Sequence, residues 1–364
     1  MSSAAPSSVS LLSPLTMRGL TIPNRIGMSP MCQYSAIDGL ANDWHLVHLG
    51  SRASGGTGLV MVEATAVTAE GRISPGDMGI WSDEHVAPLA RIATFVKSQG
   101  SVPGIQLAHA GRKASCDLAW LGGKPLHAPD PRSWQPLAPS AVAFSDDSPV
   151  PTALDEAGIN CLVDAFIAAT KRSLAAGFEF VEIHAAHGYL LHEFLSPLSN
   201  MRTDDYGGSL ENRMRLLVRV ASAVREVIPR EMPLLTRISA TDWVAGGWDI
   251  EQSIELAKSL GEVGVDMIDV SSGAIVPHVK IPVAPGYQVP LAGRIRREAS
   301  IKTAAVGLIT SPEQAQAILD AGDADLILIG RELLREPYWA HQAYEKLGGN
   351  SAWPTQYGYA IGRR

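Results

Sequence analysis

Short apolar runs alternate with amphipathic stretches along nearly the whole chain. Gly58–Val67 (GLVMVEATAV) is a β-branched apolar run, and His85–Lys97 after it carries apolar residues at helical spacing. Val102–Ala110 (VPGIQLAHA) reads as the next strand. Asp155–Ala176 sets Ile159, Leu162, Val163, Phe166 and Ile167 on one helical stripe, with Asp155 placed to cap it. Phe180–His184 is again strand-like, and Ser209–Ile228 is a long helix opened by Ser209. Strands at Leu234–Ile238 and Met267–Val270 precede helices at Ile250–Val263 and Leu291–Glu298. Thr303–Val306 precedes a helix that begins at Ser311 with Pro312 in its first turn, the favoured chemistry of a helix start. Leu326–Gly330 precedes a last helix at Tyr338–Lys346, and Arg25–Met28 supplies the first strand, so the chain holds about eight β/α units.

Continuous apolar strands alternating with helices predict a parallel sheet covered on both faces. Eight units with no interdomain linker predict an α/β protein closed into a (β/α)₈ TIM barrel, with an open doubly wound sheet as the alternative. No G-x-G-x-x-G opens the first unit, which weakens that alternative. Residues 1–10 read as a flexible lead rich in Ser, Ala and Pro, and residues 11–364 as a single barrel domain. From Arg112 to Pro151 the alternation breaks into a Pro-, Gly- and Asp-rich excursion after the third strand. Loops of this length are uncommon unless functional, and here it would cap the C-terminal face of the barrel.

Composition narrows the partners. The chain has 30 Lys and Arg against 37 Asp and Glu, a formal net charge of −7, which speaks against a nucleic-acid partner. Cys32, Cys116 and Cys161 form no CxxC pair, so no disulfide framework or zinc ribbon is expected and a reducing compartment fits. No basic stretch precedes Leu11, and no apolar run reaches the roughly 18 residues of a membrane span. A soluble cytoplasmic protein without a membrane partner is expected.

In a barrel, polar residues at the C-terminal ends of strands are the candidates for chemistry. Here these ends read Pro30-Met31-Cys32-Gln33-Tyr34, Glu63-Ala64-Thr65, Gln106 through Lys113, and His184-Ala185-Ala186-His187-Gly188-Tyr189. Arg237 lies within the fifth strand, Gly307 follows Val306 after the seventh, and Gly330-Arg331 closes the eighth. Glycines after the last two strands are where barrels commonly bind phosphate, and Arg331 adds a fork-shaped donor. His184 and His187 could bind metal, but they leave a strand, and the nearest following carboxylate, Glu193, lacks a motif context. The better reading is a pair of hydrogen-bond donors on one anionic or carbonyl oxygen, with Tyr189 delivering a proton; no metal is expected. Arg237 needs a counter-charge, either a structural Asp266 or Asp269 or a ligand's negative charge.

Eight motifs carry a resemblance: PMCQY at 30–34, EATAV at 63–67, QLAHAGRKA at 106–114, HAAHGYLLHEFLSP at 184–197, NMRTDDYGGSLENRMR at 200–215, PGYQVPLA at 285–292, AVGLIT at 305–310 and LILIGRELLREP at 326–337. Across nearly the whole chain they resemble the old yellow enzyme family of FMN-dependent ene-reductases. The Cys32/Tyr34 pair and the HxxH-x-Y form resemble its thermophilic-like branch, which includes xenobiotic reductases. The resemblance implies tightly bound, non-covalent FMN, reduced by NADPH or NADH. It implies hydride transfer to the β carbon of activated alkenes such as enones, enals and maleimides, or to nitro compounds. Pro30, Met31, Cys32, Ala64, Gln106 and Arg237 would line the flavin ring, with Cys32 tuning its potential. Val306, Gly307, Gly330 and Arg331 would hold the phosphate. His184 and His187 would bind the substrate oxygen, Tyr189 would protonate Cα, and Tyr34 and Lys113 would border the pocket. A homodimer or higher homo-oligomer is implied. Its C-terminal tail departs from the pattern, with Tyr359 near the place where relatives carry arginine; Tyr357, Tyr359, Arg363 and Arg364 are the candidates to enter a neighbouring site. The alternatives are another FMN barrel, such as a hydroxy-acid oxidase or dihydroorotate dehydrogenase, and a ligand-binding barrel without catalysis.

Overall fold

A computed structural model describes residues 9–361. In it the eight apolar runs are eight strands: β1 (Ile26–Met28), β2 (Leu59–Ala66), β3 (Val102–Ala108), β4 (Phe180–Ala185), β5 (Leu234–Ser239), β6 (Met267–Ser271), β7 (Lys302–Ala305) and β8 (Leu326–Ile329). Each pairs in parallel with its sequence neighbours, and β8 pairs with β1, so the barrel is closed and no open sheet remains. Closure puts both faces of the strands against protein, which is why β2 to β6 are buried along their entire lengths. Helices α1 (Asp43–Ser54), α2 (Val86–Ser98), α3 (Glu156–Ala175), α4 (Leu210–Val227), α5 (Ile250–Glu262), α6 (Val289–Glu298), α7 (Pro312–Asp320) and α8 (Trp339–Lys346) surround it. Asp155, Ser209, Asp249 and Ser311 cap α3, α4, α5 and α7 by accepting from an N–H in the first turn. Losing such a cap costs about 1 kcal/mol.

Three elements escape the periodicity of the sequence. The N-terminal segment forms an antiparallel hairpin, Leu15–Met17 with Leu20–Ile22. Its Leu15, Met17 and Ile22 pack with Leu59, Met61, Phe180 and Met267 to close the bottom of the barrel. Strands of three residues are too short to show alternation. Helix α1 buries His45, His48, Gly50 and Arg52 beside Leu49 and Ala53, so its inner face does not read as apolar. The short helix Leu190–Leu195 is buried at every position and therefore has no polar face to mark its period.

The excursion after β3 does cap the C-terminal mouth. It runs through single helical turns at Gly111–Lys113 and Ala119–Leu121 to a two-residue ladder of Leu137–Ala138 with Thr152–Ala153. Among the described residues, no helix is long and apolar enough to cross a membrane, and no group of three or more His, Cys, Asp or Glu is placed to hold a metal ion.

Candidate active site

Two cavities open at the C-terminal mouth. The larger, about 390 Å³, is lined by Met31, His187, Arg237, Val306, Gly307, Gly330 and Arg331. The smaller, about 250 Å³, lies under the excursion and is lined by Tyr34, Lys113 and Tyr189 with Arg112, Cys116 and Phe144. Ala64 faces a crevice beside Tyr189. Most of the strand-end residues singled out in the sequence therefore meet, from seven different strand ends, whereas Pro30, Cys32, Gln106 and His184 line neither cavity.

His184, the fifth residue of β4, is buried, and its Nδ1 accepts from the Ala186 N–H at 3.3 Å, which leaves its ring proton on Nε2. The chain then turns through two left-handed residues, His187 (φ 60°) and Gly188 (φ 72°). This turn brings His187 and Tyr189 back against His184, with both ring centroids 5.1 Å from that of His184. His187 Nε2 lies 2.7 Å from Ser271 Oγ at the end of β6. Burial, reinforced by the charge of Arg237, pushes both histidines well below the ordinary imidazole range, so both are neutral at pH 7. Burial raises the Tyr189 phenol well above its usual value, so it keeps its proton. Lys113 does more than border the pocket. Its Nζ donates to the carbonyls of His187 (2.9 Å) and Ala274 (3.2 Å), tying the excursion to the histidine turn, and burial lowers it to about 8.

Arg237 is placed between two demands. Its Nε is 3.1 Å from Asp269 Oδ2 and its Nη1 donates to Ser29 Oγ at 3.1 Å, yet the side chain still lines the larger cavity. Of the two possible counter-ions, Asp269 is the one used; Asp266 pairs with Arg18 at 2.7 Å, outside the barrel core. Glu182 lies beside Asp269, and burial together with the Asp269 charge raises its carboxyl well above the usual range. Gln106 donates from Nε2 to Glu182 Oε1 at 2.7 Å and lines neither cavity. Burial and the charges of Asp77 and Glu63 raise the Cys32 thiol, which is therefore no thiolate nucleophile. Glu63 accepts from the Gln33 N–H at 2.6 Å and so fixes the loop that carries Cys32 and Tyr34.

At the far end of the larger cavity, Gly307 adopts φ 126°, and a Cβ there would come within 3.0 Å of Gln288 Nε2 and 3.1 Å of the Tyr287 ring. Gly330 precedes the short helix Arg331–Arg335, and Arg331 forms no ion pair among the described residues. A polar cavity lined by Arg237 and by an Arg331 free of ion pairs among the described residues fits a molecule that carries a phosphate and a ring that takes on negative charge when reduced, as FMN does. Arg331→Ala is expected to weaken FMN binding by about 10- to 100-fold, the worth of one hydrogen-bonded charge. Fluorescence of flavin released on dilution measures it, and unchanged retention would remove Arg331 from the phosphate site.

Several lining residues were not anticipated. Ser271 ends β6, the one strand whose polar end was passed over, and Ser272 follows it. Gln288 accepts from Ser272 Oγ (2.7 Å) and donates to the Val306 carbonyl (2.9 Å), and with Tyr287 it belongs to the PGYQVPLA motif already noted. Phe144 and Cys116 come from the excursion, where nothing in sequence distinguishes them. Glu193 accepts from the Arg112 N–H at 2.8 Å and takes part in no metal group. In the tail, Tyr357 reaches Tyr338 (3.4 Å between hydroxyls) and Tyr359 is exposed, whereas Arg363 and Arg364 lie outside the described residues.

Comparison with known proteins gives these cavities a context. Residues 10–350 match the model of the NADH:flavin oxidoreductase / NADH oxidase family. A NADPH dehydrogenase of Geobacillus sp. (strain WCH70) is 51% identical over 349 residues, covering 95% of this chain and 97% of the relative. Among solved structures, morphinone reductase superposes with a TM-score of 0.78 at 28% identity, covering 96% of this chain and 92% of its own. An old yellow enzyme homologue from Zymomonas mobilis superposes with a TM-score of 0.76 at 30% identity, covering 94% of each chain. The chain therefore belongs to the NADH:flavin oxidoreductase family, the old yellow enzyme group, and is an FMN-dependent NAD(P)H oxidoreductase.

Proposed function

We propose that this oxidoreductase is an ene-reductase that reduces activated alkenes such as enones, enals and maleimides, with nitro compounds as further substrates. The observation that carries the reading is the convergence of neutral His184 and His187 with a protonated Tyr189, where His187 lines the larger cavity and Tyr189 the smaller. His184 presents Nε2–H, and with the Ser271 hydroxyl as donor to Nε2 of His187, the direction this reading adopts, that ring's proton stands on Nδ1. Two such donors on a carbonyl or nitro oxygen withdraw charge from the conjugated double bond, each for roughly 2.7–4 kcal/mol where charge develops. Bound FMN would supply the hydride, drawn from NADPH, to the β carbon. Tyr189 then holds the proton that the α carbon needs. Hydroxy-acid oxidation has less support, because it needs a base and these imidazoles are poor ones.

Pro30, Met31, Cys32 and Ala64 are assigned to the flavin ring with Arg237; Gln106 is assigned to it only through Glu182. Val306 and Gly307 join Gly330 and Arg331 at the phosphate. Tyr34 and Lys113 border the alkene. We place the enzyme in the cytoplasm as a homodimer or larger homo-oligomer; its three unbridged cysteines support the first, and the exposed Tyr359 and Ile361 of the tail the second.

The purified protein is expected to be yellow, to bleach anaerobically with NADPH and to recover its colour with 2-cyclohexen-1-one. A protein that bleaches and does not recover with any activated alkene would refute the reading. His184→Ala and His187→Ala are each expected to weaken 4-hydroxybenzaldehyde binding by about 10²-fold. Unchanged affinity in both, read from the visible flavin spectrum, would remove the donor pair.

A further inference from the structure

The HAAHGYLLHEFLSP segment contains a third histidine to which neither the flavin nor the alkene gives a role. His192 is fully buried in the short helix after Tyr189, and its Nδ1 accepts the Gly188 N–H at 2.9 Å. Its Nε2 lies 3.0 Å from Asp242 Oδ1. The other carboxylate oxygen, Oδ2, accepts from Ser196 Oγ and from the Trp248 N–H, each at 2.7 Å. We propose that His192, oriented by Asp242, is a positioning residue for the reacting groups: it pins the left-handed His187–Gly188 turn that places the His187 imidazole and the Tyr189 hydroxyl.

The turn needs such a pin. Left-handed backbone is unfavourable at a residue with a Cβ, and His187 adopts it at φ 60°. Gly188 follows at φ 72°, pressed so closely on the neighbouring loop that a Cβ would come within 2.3 Å of the Ala274 carbonyl. The turn is held from three sides: Ser239 Oγ accepts the His187 N–H (2.9 Å), Lys113 binds the His187 carbonyl (2.9 Å), and His192 takes the Gly188 N–H. The last bond falls on the residue between the two groups that touch the substrate. An imidazole that accepts an amide proton at Nδ1 must carry its own proton on Nε2, and that is the nitrogen facing Asp242. Asp242 is itself immobilised by two donors on Oδ2, so the other tautomer would turn a bare Nε2 toward a fixed carboxylate and leave the Gly188 N–H without its acceptor. The arrangement parallels the use of a carboxylate to fix a functional histidine, with the backbone of the site in place of the reacting atom.

The inference rests on the ene-reductase reading of the turn, and the two can fail separately. Two variants of the FMN-loaded enzyme divide the imidazole: His192→Asn keeps an acceptor where Nδ1 stands, and His192→Gln keeps a donor where Nε2 stands. His192→Gln is expected to lose on the order of 10²-fold in 2-cyclohexen-1-one turnover, as for a reacting group displaced by about an ångström, and to bind 4-hydroxybenzaldehyde about 10-fold more weakly. His192→Asn is expected to retain both near wild-type values, with the same FMN content and thermal midpoint as His192→Gln. A purely structural role predicts that both variants lose turnover in step with thermal stability, and that result overturns the proposal, as does wild-type behaviour of His192→Gln. The wild-type enzyme supplies a test independent of folding: ¹⁵N shifts of His192 at pH 7.5 should show a bare Nδ1 and a protonated Nε2, and a protonated Nδ1 overturns the pin. If the wild type reduces no alkene, the function falls, and the ¹⁵N shifts still decide the pin.

Discussion

Replacing Tyr189 with phenylalanine is expected to slow alkene reduction by about 10²- to 10⁴-fold, the range for loss of a positioned general acid. Bleaching by NADPH should continue near its wild-type rate, since that half of the cycle asks no proton of Tyr189. The phenyl ring keeps the edge contact with His184 (5.1 Å between centroids) and the face under Lys113 (5.3 Å), so the loss is confined to the hydroxyl. The pH dependence follows from the same burial. A phenol held well above its ordinary value stays protonated through pH 9, and imidazoles held well below theirs stay neutral down to pH 6. The wild-type oxidative step should therefore show no titration of these three groups between those limits in stopped-flow measurements, and an inflection near pH 8 would belong to another group such as Lys113. A variant slowed equally in both halves of the cycle would move Tyr189 out of the proton-delivery role.

Arg237→Met is expected to cost about 3–5 kcal/mol of folding stability at pH 7.5, as when one partner is removed from a buried ion pair. Arg237 and Asp269 are 5% and 0% exposed, so no solvent compensates the carboxylate left behind. Without Arg237 the Asp269 carboxyl, already raised by burial, rises further. A carboxyl raised in the folded state binds protons there that the unfolded chain has released. Stability then falls as pH rises through that interval, and the deficit of the variant should shrink at pH 5.5. Adding Asp269→Asn should restore most of the loss, because it removes the orphaned charge. Denaturant titrations at the two pH values measure both effects; a deficit independent of pH and of Asp269 would contradict the counter-ion assignment.

Much of the site could be read from residue order, because a (β/α)₈ barrel brings its strand ends together whatever separates them in sequence. That rule places Met31, Tyr34, Lys113, Tyr189, Arg237, Gly307 and Arg331 around one pair of cavities. It does not bring Gln106 to either cavity, because Gln106 is taken up by Glu182 inside the barrel. It is also silent on Phe144 and Cys116, which reach the smaller cavity from an excursion without periodicity.

By itself, the sequence determined the parallel barrel, the capped helices, the glycines Gly307 and Gly330 after the last two strands, and the histidine–tyrosine set. Those features rest on local chemistry: apolar runs, cap residues, glycines at strand ends and a compact motif. Only the tertiary structure decided the charge states and the partners. Arg237 could have met Asp266 or Asp269, and folding chose Asp269 because β5 and β6 set the two side by side in register. His184 and His187 became neutral imidazoles only because burial strips them of water beside a fixed positive charge. Residues distant in sequence, such as Asp242 behind His192 and Ser271 on His187, share the site because the barrel closes, a global event that no local window contains.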